Sequence, residues 1–200
     1  NRHAGLSQII IDLKRDGAKV RPIKNMAGGE DFNEVVFEDV VVPKDRIVGE
    51  AGNGWAQVTS ELAYERSGPE RFLSAFRVFV ELVRFCGPKP TQYQATVIGR
   101  IASHIMTLRR MSISVAGMLE SGKDVVVEAA LVKELGNNFE KLLPELARVV
   151  GSDGFSDFSR DGDLFRRTFE DTMLLSPSFT LRGGTREILR GVIARGLGPV

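Results

Sequence analysis

The sequence is poor in the residues that build metal centres and disulfides. Its 200 residues include one cysteine, Cys86, and two histidines, His3 and His104, which lie far apart in the chain. A lone thiol cannot form an intramolecular disulfide or a cysteine-rich zinc site. No apolar run approaches the roughly 18 residues that a membrane span requires. We therefore expect neither a metal site nor a membrane span.

An excess of charge of either sign is also lacking. The chain has 27 lysines and arginines against 26 aspartates and glutamates, a formal charge of +1. This balance favours neither nucleic acid nor an anionic membrane surface as a partner. The first residues, NRHAG, contain no initiator methionine and no apolar signal-peptide core. We therefore expect a cytoplasmic protein whose beginning is missing.

The composition changes once, near residue 52. Before it, residues 6–13, 18–24 and 34–42 are short runs rich in isoleucine and valine, separated by turn residues. This pattern predicts three strands, and Pro22 places the second run at a sheet edge. Three strands do not close a barrel or a sandwich. The alternatives are a small sheet packed on the following helices or a remnant of a larger β domain.

After residue 52 the apolar residues recur with helical spacing. The first helical segment is broken at Gly68–Pro69, the second begins at Thr91 with Gln94 as a capping box, and a third begins at Asp124. Shorter helices are predicted near residues 164–174 and 185–195. The core stripes of the first and third segments would be Trp55, Val58, Leu62, Phe72, Phe76, Phe79 and Val83, and then Val127, Leu131, Leu135, Phe139, Leu142 and Leu146. The prediction is a mainly α fold, an antiparallel four-helix bundle preceded by a short β remnant.

Glu65 is the first candidate for a catalytic group. The stripe through Trp55, Val58 and Leu62 continues in helical steps to residue 65, where a carboxylate stands. A carboxylate that faces an apolar interior has its pKa raised by desolvation, which suits a general base. The alternative is an ion pair with Arg66 or another arginine at the edge of the bundle. Helical spacing alone favours that alternative.

A second candidate is the segment 181–188, which reads LRGGTREI. Gly183 and Gly184 let backbone N–H groups approach a ligand, Thr185 is an N-cap, and the following helix points its positive end at this position. These features suit a phosphate. For a lone Gly-Gly-Thr, an ordinary capped glycine turn is the favoured alternative. Gly151 and Ser152 in GSDG are a weaker candidate, because they also fit a helix-ending turn without a ligand.

Several segments in combination resemble the C-terminal half of an acyl-CoA dehydrogenase. They are GLSQIIIDL, FNEVVFEDVVVPKDRIVGEAGNGW, LAYERSGPERF, the GSDGF turn and the closing GGTREILRGVIARGLG, and together they span nearly the whole chain. The resemblance implies a flavoenzyme with an N-terminal helical domain, a middle β domain and a C-terminal four-helix bundle. Residues 1–51 would then be the end of the middle domain, and residues 52–200 the complete bundle.

The resemblance also implies FAD-dependent α,β-dehydrogenation of an acyl-CoA thioester, in fatty-acid, branched-acid or steroid side-chain oxidation. A glutamate removes the α-proton while the β-carbon gives hydride to the flavin. Most members carry this base at the position of Gly183. Others carry it in an LxxER stretch, which Leu62 to Arg66 matches, so the resemblance makes Glu65 the base. Leu62 and Arg66 would then contact the acyl-CoA.

Further roles follow from the same resemblance. The N–H of Gly183 would donate to the thioester carbonyl and stabilise enolate charge. Gly184, Thr185 and Glu187 would contact FAD, together with Gly151 and Ser152 of the GSDGF turn. The acidic residue expected two positions before the base is Ala63 here, which removes one expected contact with CoA.

The implied assembly is a homo- or heterotetramer with electron-transfer flavoprotein as the electron acceptor. One motif departs from the family. An RxxFG motif normally grips the FAD of the neighbouring subunit, whereas this chain reads RFCGPKP from Arg84 to Pro90. The departure supports an alternative, a non-catalytic or structural subunit that completes the flavin site of a partner in a heteromeric acyl-CoA dehydrogenase.

Overall fold

The structure is a computed structural model that describes residues 3–152 and 160–198. The chain divides into two compact units, Asn1–Glu61 and Leu62–Val200. The domain boundary expected between residues 51 and 52 stays a prediction.

The first unit contains a two-stranded antiparallel sheet. Strand β1 (Ala18–Ile23) pairs with β2 (Phe32–Phe37), and Pro22 lies opposite Asn33. Both strands are edges, so a proline is tolerated as expected. The strand predicted at residues 6–13 is wrong, because this run makes only isolated bridges, Leu6 with Asn53 and Ile9 with Ile47. The backbone of this run forms hydrogen bonds with irregular segments and not with a neighbouring strand. For example, the N–H of Ile10 donates to the Arg46 carbonyl.

Six α-helices follow within the described residues, and the predicted mainly α fold is confirmed. They are α1 (Gly54–Ser67), α2 (Phe76–Cys86), α3 (Gln92–Glu120), α4 (Val126–Val150), α5 (Arg160–Leu175) and α6 (Arg186–Leu197). Helix α4 packs against α2, α3, α5 and α6, and α2 packs against α5. The core of the second unit therefore surrounds α4.

Two helix boundaries have the local causes that the sequence indicated. Helix α1 ends at Ser67, and a 3₁₀ turn over Pro69–Arg71 follows, because proline cannot continue the hydrogen-bond ladder. Helix α3 opens with the predicted capping box. The N–H of Gln94 donates to the Thr91 hydroxyl at 3.2 Å, and the N–H of Thr91 donates to the Gln94 side chain at 2.9 Å.

The predicted core faces of α2 and α4 are wrong in part. In α2, the buried residues are Val78, Glu81 and Leu82, whereas the predicted Phe76 and Val83 are exposed. In α4, the predicted Leu135 is 44% exposed, although Phe139 is buried as expected. The buried surface of α4 is instead partly polar: Lys133, Glu134, Asn137 and Glu140. Charged residues can occupy a core when they pair with opposite charges from other elements, which apolar periodicity does not detect.

Candidate active site

The carboxylate of Glu65 lies on the last turn of α1, beside the guanidinium of Arg71. The 3₁₀ turn after α1 brings Arg71 back onto this turn, where its Nη2 forms a salt bridge with Oε1 of Glu65. The Nε of Arg71 also donates to the Glu65 backbone carbonyl at 2.9 Å. The side chain of Arg71 is 9% exposed and that of Glu65 is 41% exposed. The expected apolar surroundings of Glu65 are therefore wrong, and its partner is a buried arginine other than Arg66.

Gly183 lies against the same carboxylate. Its φ is +69°, in the left-handed region that favours glycine. A Cβ atom at this position would lie 3.4 Å from atoms of three side chains, those of Glu65, Arg71 and Lys133. The two residues that the sequence singled out for chemistry, Glu65 and Gly183, therefore come together in space.

Arg66 fixes the backbone on the other side of Gly183. It is almost fully buried, and its Nε donates to the Gly183 carbonyl at 3.2 Å. Burial lowers the pKa of Arg66, although the charge of Glu65 opposes the shift. Leu62 is half-buried one turn before Glu65. Two of the residues predicted from the LxxER stretch, Glu65 and Arg66, thus border the position of Gly183.

The start of α6 follows directly. Gly184 has a φ of +108°, and Thr185 is the N-cap residue in an extended conformation. The Thr185 side chain makes no capping bond to the helix backbone. Hydrogen bonding by its own N–H and by the Thr185 hydroxyl lowers the pKa of the Glu187 carboxylate. An acidic group therefore lies at the positive end of α6, where a helix favours an anion.

Lys133 is a site residue that the sequence reasoning missed. Its side chain is fully buried, and its Nζ donates to the Phe179 carbonyl at 3.0 Å and to Oδ1 of Asn137. Burial lowers the pKa of Lys133 to about 8, while the charges of Glu140 and Glu65 oppose the shift. The sequence signal that was available is the spacing of Lys133, Asn137 and Glu140, which places three polar side chains on one face of α4.

Glu140 binds the segment that precedes Gly183. Its fully buried carboxylate accepts from the N–H of Ser74 at 2.9 Å and from Nη2 of Arg182 at 3.3 Å. Arg182 also donates to the Ser74 hydroxyl, and its guanidinium lies 4.8 Å from the centroid of the Phe179 ring. Charged groups of α4 thus contact both Phe179 and Arg182.

A third charged group of α4 holds the start of α6. The carboxylate of Glu134 accepts from Arg186 at 3.0 Å and from Arg190 at 2.9 Å. Desolvation alone would raise the pKa of Glu134, but the hydrogen bonds and charges of the two arginines outweigh it and hold this pKa below its ordinary value. The first two turns of α6 are therefore tied to α4.

Comparison with known proteins identifies the family. Residues 52–198 match the family model of the acyl-CoA dehydrogenase C-terminal domain. The chain belongs to the acyl-CoA dehydrogenase family. It is 30% identical over 197 residues to acyl-CoA dehydrogenase IpdE1 of Mycobacterium tuberculosis, covering 96% of this chain and 50% of that protein. The chain spans about half the length of two curated relatives that it matches.

Solved structures of acyl-CoA dehydrogenases share the fold. The structure named Tcur3481-Tcur3483 steroid ACAD matches with a TM-score of 0.84 at 20% identity, over 100% of this chain and 53% of that one. The ChsE4-ChsE5 complex of Mycobacterium tuberculosis matches with a TM-score of 0.79 at 23% identity, over 100% of this chain and 54% of that one. The predicted membership of the acyl-CoA dehydrogenase family is confirmed.

The GSDGF turn of this acyl-CoA dehydrogenase chain lies partly outside the described residues, which are interrupted after Ser152 and resume at residue 160. Gly151 is the C-cap of α4, and its N–H donates to the Ala147 carbonyl at 2.8 Å. A Cβ atom at Gly151 would lie 2.3 Å from the Phe165 ring, so glycine is required by the packing of α5. Gly151 also lies roughly 27 Å along α4 from Lys133. The structure therefore does not bring Gly151 to Glu65 and Gly183.

Two further kinds of feature are absent from the described residues, a cluster of metal ligands and a membrane-spanning helix. Among residues 3–152 and 160–198, no group of three or more histidine, cysteine, aspartate or glutamate side chains is arranged to hold a metal ion. None of the helices in that part of the chain combines the length and apolar composition needed to cross a membrane.

Proposed function

We propose that this chain carries the catalytic base of an FAD-dependent acyl-CoA dehydrogenase, and that Glu65 is that base. The observation that supports this proposal is the contact of the Glu65 carboxylate with the position of Gly183, where a Cβ atom would lie 3.4 Å from Oε1. A side chain at residue 183 would begin in contact with this carboxylate, and glycine keeps that position free of one. A larger residue there would also have to adopt the left-handed backbone that glycine favours.

In this proposal the residues around Glu65 divide the work. Arg71 holds the Glu65 side chain in place through their salt bridge and its bond to the Glu65 backbone carbonyl, and the carboxylate takes the α-proton of the thioester. The N–H of Gly183 donates to the thioester carbonyl and stabilises the negative charge that develops on it. Leu62 contacts the acyl chain. Arg66, which is almost fully buried, acts on the site through the Gly183 carbonyl.

The start of α6 fits a group such as FAD, the cofactor that the family resemblance implies. A Cβ atom at Gly184 would fill the space between Arg66 and Leu189, 3.6 Å from each, so the glycine leaves backbone within reach of a ligand. Gly184, Thr185 and Glu187 would hold the cofactor there. When bound, FAD supplies the centre that accepts hydride from the β-carbon. A role of Gly151 and Ser152 in binding FAD stays a prediction.

The test is a substitution of the base in the full-length protein. Glu65→Gln keeps the size of the side chain and its contact with Arg71 but removes the proton acceptor. We expect kcat to fall by about 10²–10⁴-fold with a panel of fatty, branched and steroid acyl-CoA thioesters, while the FAD absorbance remains. Glu61→Gln, an exposed glutamate one turn earlier on α1, is the matched control and should leave kcat unchanged. Retained turnover in Glu65→Gln would remove Glu65 from the role of base.

The second candidate function is that of a structural subunit in a heteromeric acyl-CoA dehydrogenase. The observation in its favour concerns Arg84, in the segment that departs from the RxxFG motif. Its guanidinium binds the buried carboxylate of Glu81 at 2.9 Å within the same helix. Among similar structures, the ChsE4-ChsE5 complex contains two named proteins. A single subunit type in the active native complex, measured by native mass spectrometry, would contradict this version.

Electron-transfer flavoprotein is the electron acceptor in either version of the proposal. This acceptor is tested by mixing the holoenzyme and an acyl-CoA with purified electron-transfer flavoprotein and following the reduction of its flavin by absorbance.

Location in the cytoplasm stays a prediction.

A further inference from the structure

The buried polar face of α4 is defined here as Lys133, Asn137 and Glu140. All three side chains are fully buried. Taking charges out of water costs free energy, and an apolar residue of the same size is often as stabilising as a buried ion pair. Asn137 also leaves its Nδ2 without a hydrogen-bond partner, a further cost. Stability alone therefore does not account for this face, whereas directional hydrogen bonds would account for it if they hold something in a required position.

The polar face of α4 holds the chain that leads into Gly183. Lys133 binds the carbonyl of Phe179 at 3.0 Å, and Glu140 binds the guanidinium of Arg182 at 3.3 Å. The bonds lie at the two ends of a four-residue stretch, residues 179–182, so both the position and the direction of this stretch are fixed. The amide N–H of Gly183 belongs to the peptide bond that follows Arg182. Its orientation depends directly on where residue 182 is held.

We propose that Lys133 and Glu140 are positioning residues, which hold residues 179–182 on α4 so that the Gly183 backbone stays in place beside the Glu65 carboxylate. The inference rests on the proposed function of Glu65 and Gly183. Lys133 and Glu140 touch neither substrate nor cofactor in it, and act through the backbone of the intervening residues. Displacement of a reacting group by about 1 Å can cost as much as 10²-fold in rate, so such positioning has a measurable effect.

Two variants of the full-length protein test the proposal, with one matched control. Lys133→Met keeps the length of the side chain but cannot donate to the Phe179 carbonyl. Arg182→Met removes the bond to Glu140 from a partly exposed position, while the N–H of Ser74 still donates to that carboxylate. Lys141→Met, an exposed lysine on the same helix, is the control.

The first readout is amide hydrogen exchange followed by mass spectrometry, which does not depend on catalysis. We expect exchange in peptides covering residues 176–184 to be about tenfold or more faster in Lys133→Met and Arg182→Met, because local opening is easier once a tie is lost. Lys141→Met should exchange like the wild type. Unchanged exchange in this segment in both variants would overturn the proposal. If Lys133→Met exchanges faster in all helices, the variant is unfolded. The exchange of residues 176–184 in Arg182→Met then tests the proposal alone.

The second readout separates positioning from general stability. With the acyl-CoA that the wild type oxidises, kcat should fall about tenfold or more in both variants, while KM changes less than about threefold and FAD absorbance is retained. Lys133→Arg, which keeps a charged donor, should recover part of kcat. Faster exchange with an unchanged kcat would overturn the positioning role.

The two readouts also keep the proposal apart from the proposed function. Faster exchange in residues 176–184 together with a wild type that oxidises no acyl-CoA would contradict the proposed function, and with it the catalytic purpose of the positioning. Unchanged exchange in a wild type that is active, and is inactivated by Glu65→Gln, would contradict the positioning alone.

Discussion

Two buried contacts of the second unit are built in opposite ways. Between α2 and α5, Phe85 stacks on Phe165 with ring centroids 5.3 Å apart, and Phe165 is fully buried. Between α4 and the segment before Gly183, Lys133 donates to the Phe179 carbonyl and Glu140 pairs with the Arg182 guanidinium, so polar bonds add to the burial of Phe179. Apolar burial is non-directional, whereas hydrogen bonds fix distance and angle. We infer that the first contact mainly stabilises the fold and the second mainly sets the geometry of the site.

The largest effect is expected where the apolar contact is removed. Phe165→Ala should lower the free energy of unfolding by about 3–5 kcal/mol, because it deletes a buried ring and leaves a cavity beside Phe85. Urea-induced unfolding measures this loss. Phe76→Ala, at a position that is 39% exposed, is the control and should cost about 1 kcal/mol or less. A Phe165→Ala cost as small as that of the control would remove the distinction between the two contacts.

A smaller effect is expected from the buried charge of Lys133, and it depends on pH. Its pKa is lowered to about 8 by burial, below the ordinary value of 10.5. Between these values the folded chain has released this proton while the unfolded chain still holds it. The unfolded state therefore binds more protons, and stability rises with pH in this window.

The comparison of wild type with Lys133→Met isolates this effect, because all other titrating groups are shared. From pH 7 to about pH 9.5, the wild type should gain about 2 kcal/mol of unfolding free energy relative to the variant. Urea-induced unfolding at the two pH values measures the change. If the unfolding free energies of wild type and variant differ equally at both pH values, Lys133 keeps its proton throughout. The polar face of α4 would then carry this charge without the expected cost of burial.

The same contrast explains which parts of the fold could be predicted from the sequence. The ends of helices were predictable because their causes are local, as with the proline after Gly68 and the Thr91 capping box. The buried face of α4 was not predictable. The buried carboxylate of Glu140 is bound by Ser74 and Arg182, which come from distant parts of the chain. An apolar stripe through Leu135 was the natural expectation from periodicity alone.

The candidate site divides in the same manner. Glu65 and Gly183 were found because they lie in motifs of consecutive residues, LAYER and GGTRE. Lys133 lies in no such motif, and Arg71, although it lies in LAYERSGPERF, was given no role from the sequence. Only the folded chain brings the two side chains within reach of the Gly183 position. The strand expected at residues 6–13 is absent for a related reason. An apolar run becomes a strand only where a neighbouring strand offers a continuous ladder of hydrogen bonds.

The smallest effect is expected for a polar contact that stays in water, the capping box of α3. Thr91→Ala removes the hydroxyl that accepts from the N–H of Gln94, and should lower the free energy of unfolding by about 1 kcal/mol. Thr96→Ala, whose hydroxyl donates to the Gln92 carbonyl inside the same helix, is the control and should change stability by less than about 0.5 kcal/mol. Urea-induced unfolding measures both variants. Because the cap is exposed and neutral, its cost should not change between pH 7 and about pH 9.5, in contrast to the contribution of Lys133. A pH-dependent cost of Thr91→Ala would mean that the pH effect is not specific to the buried polar face of α4.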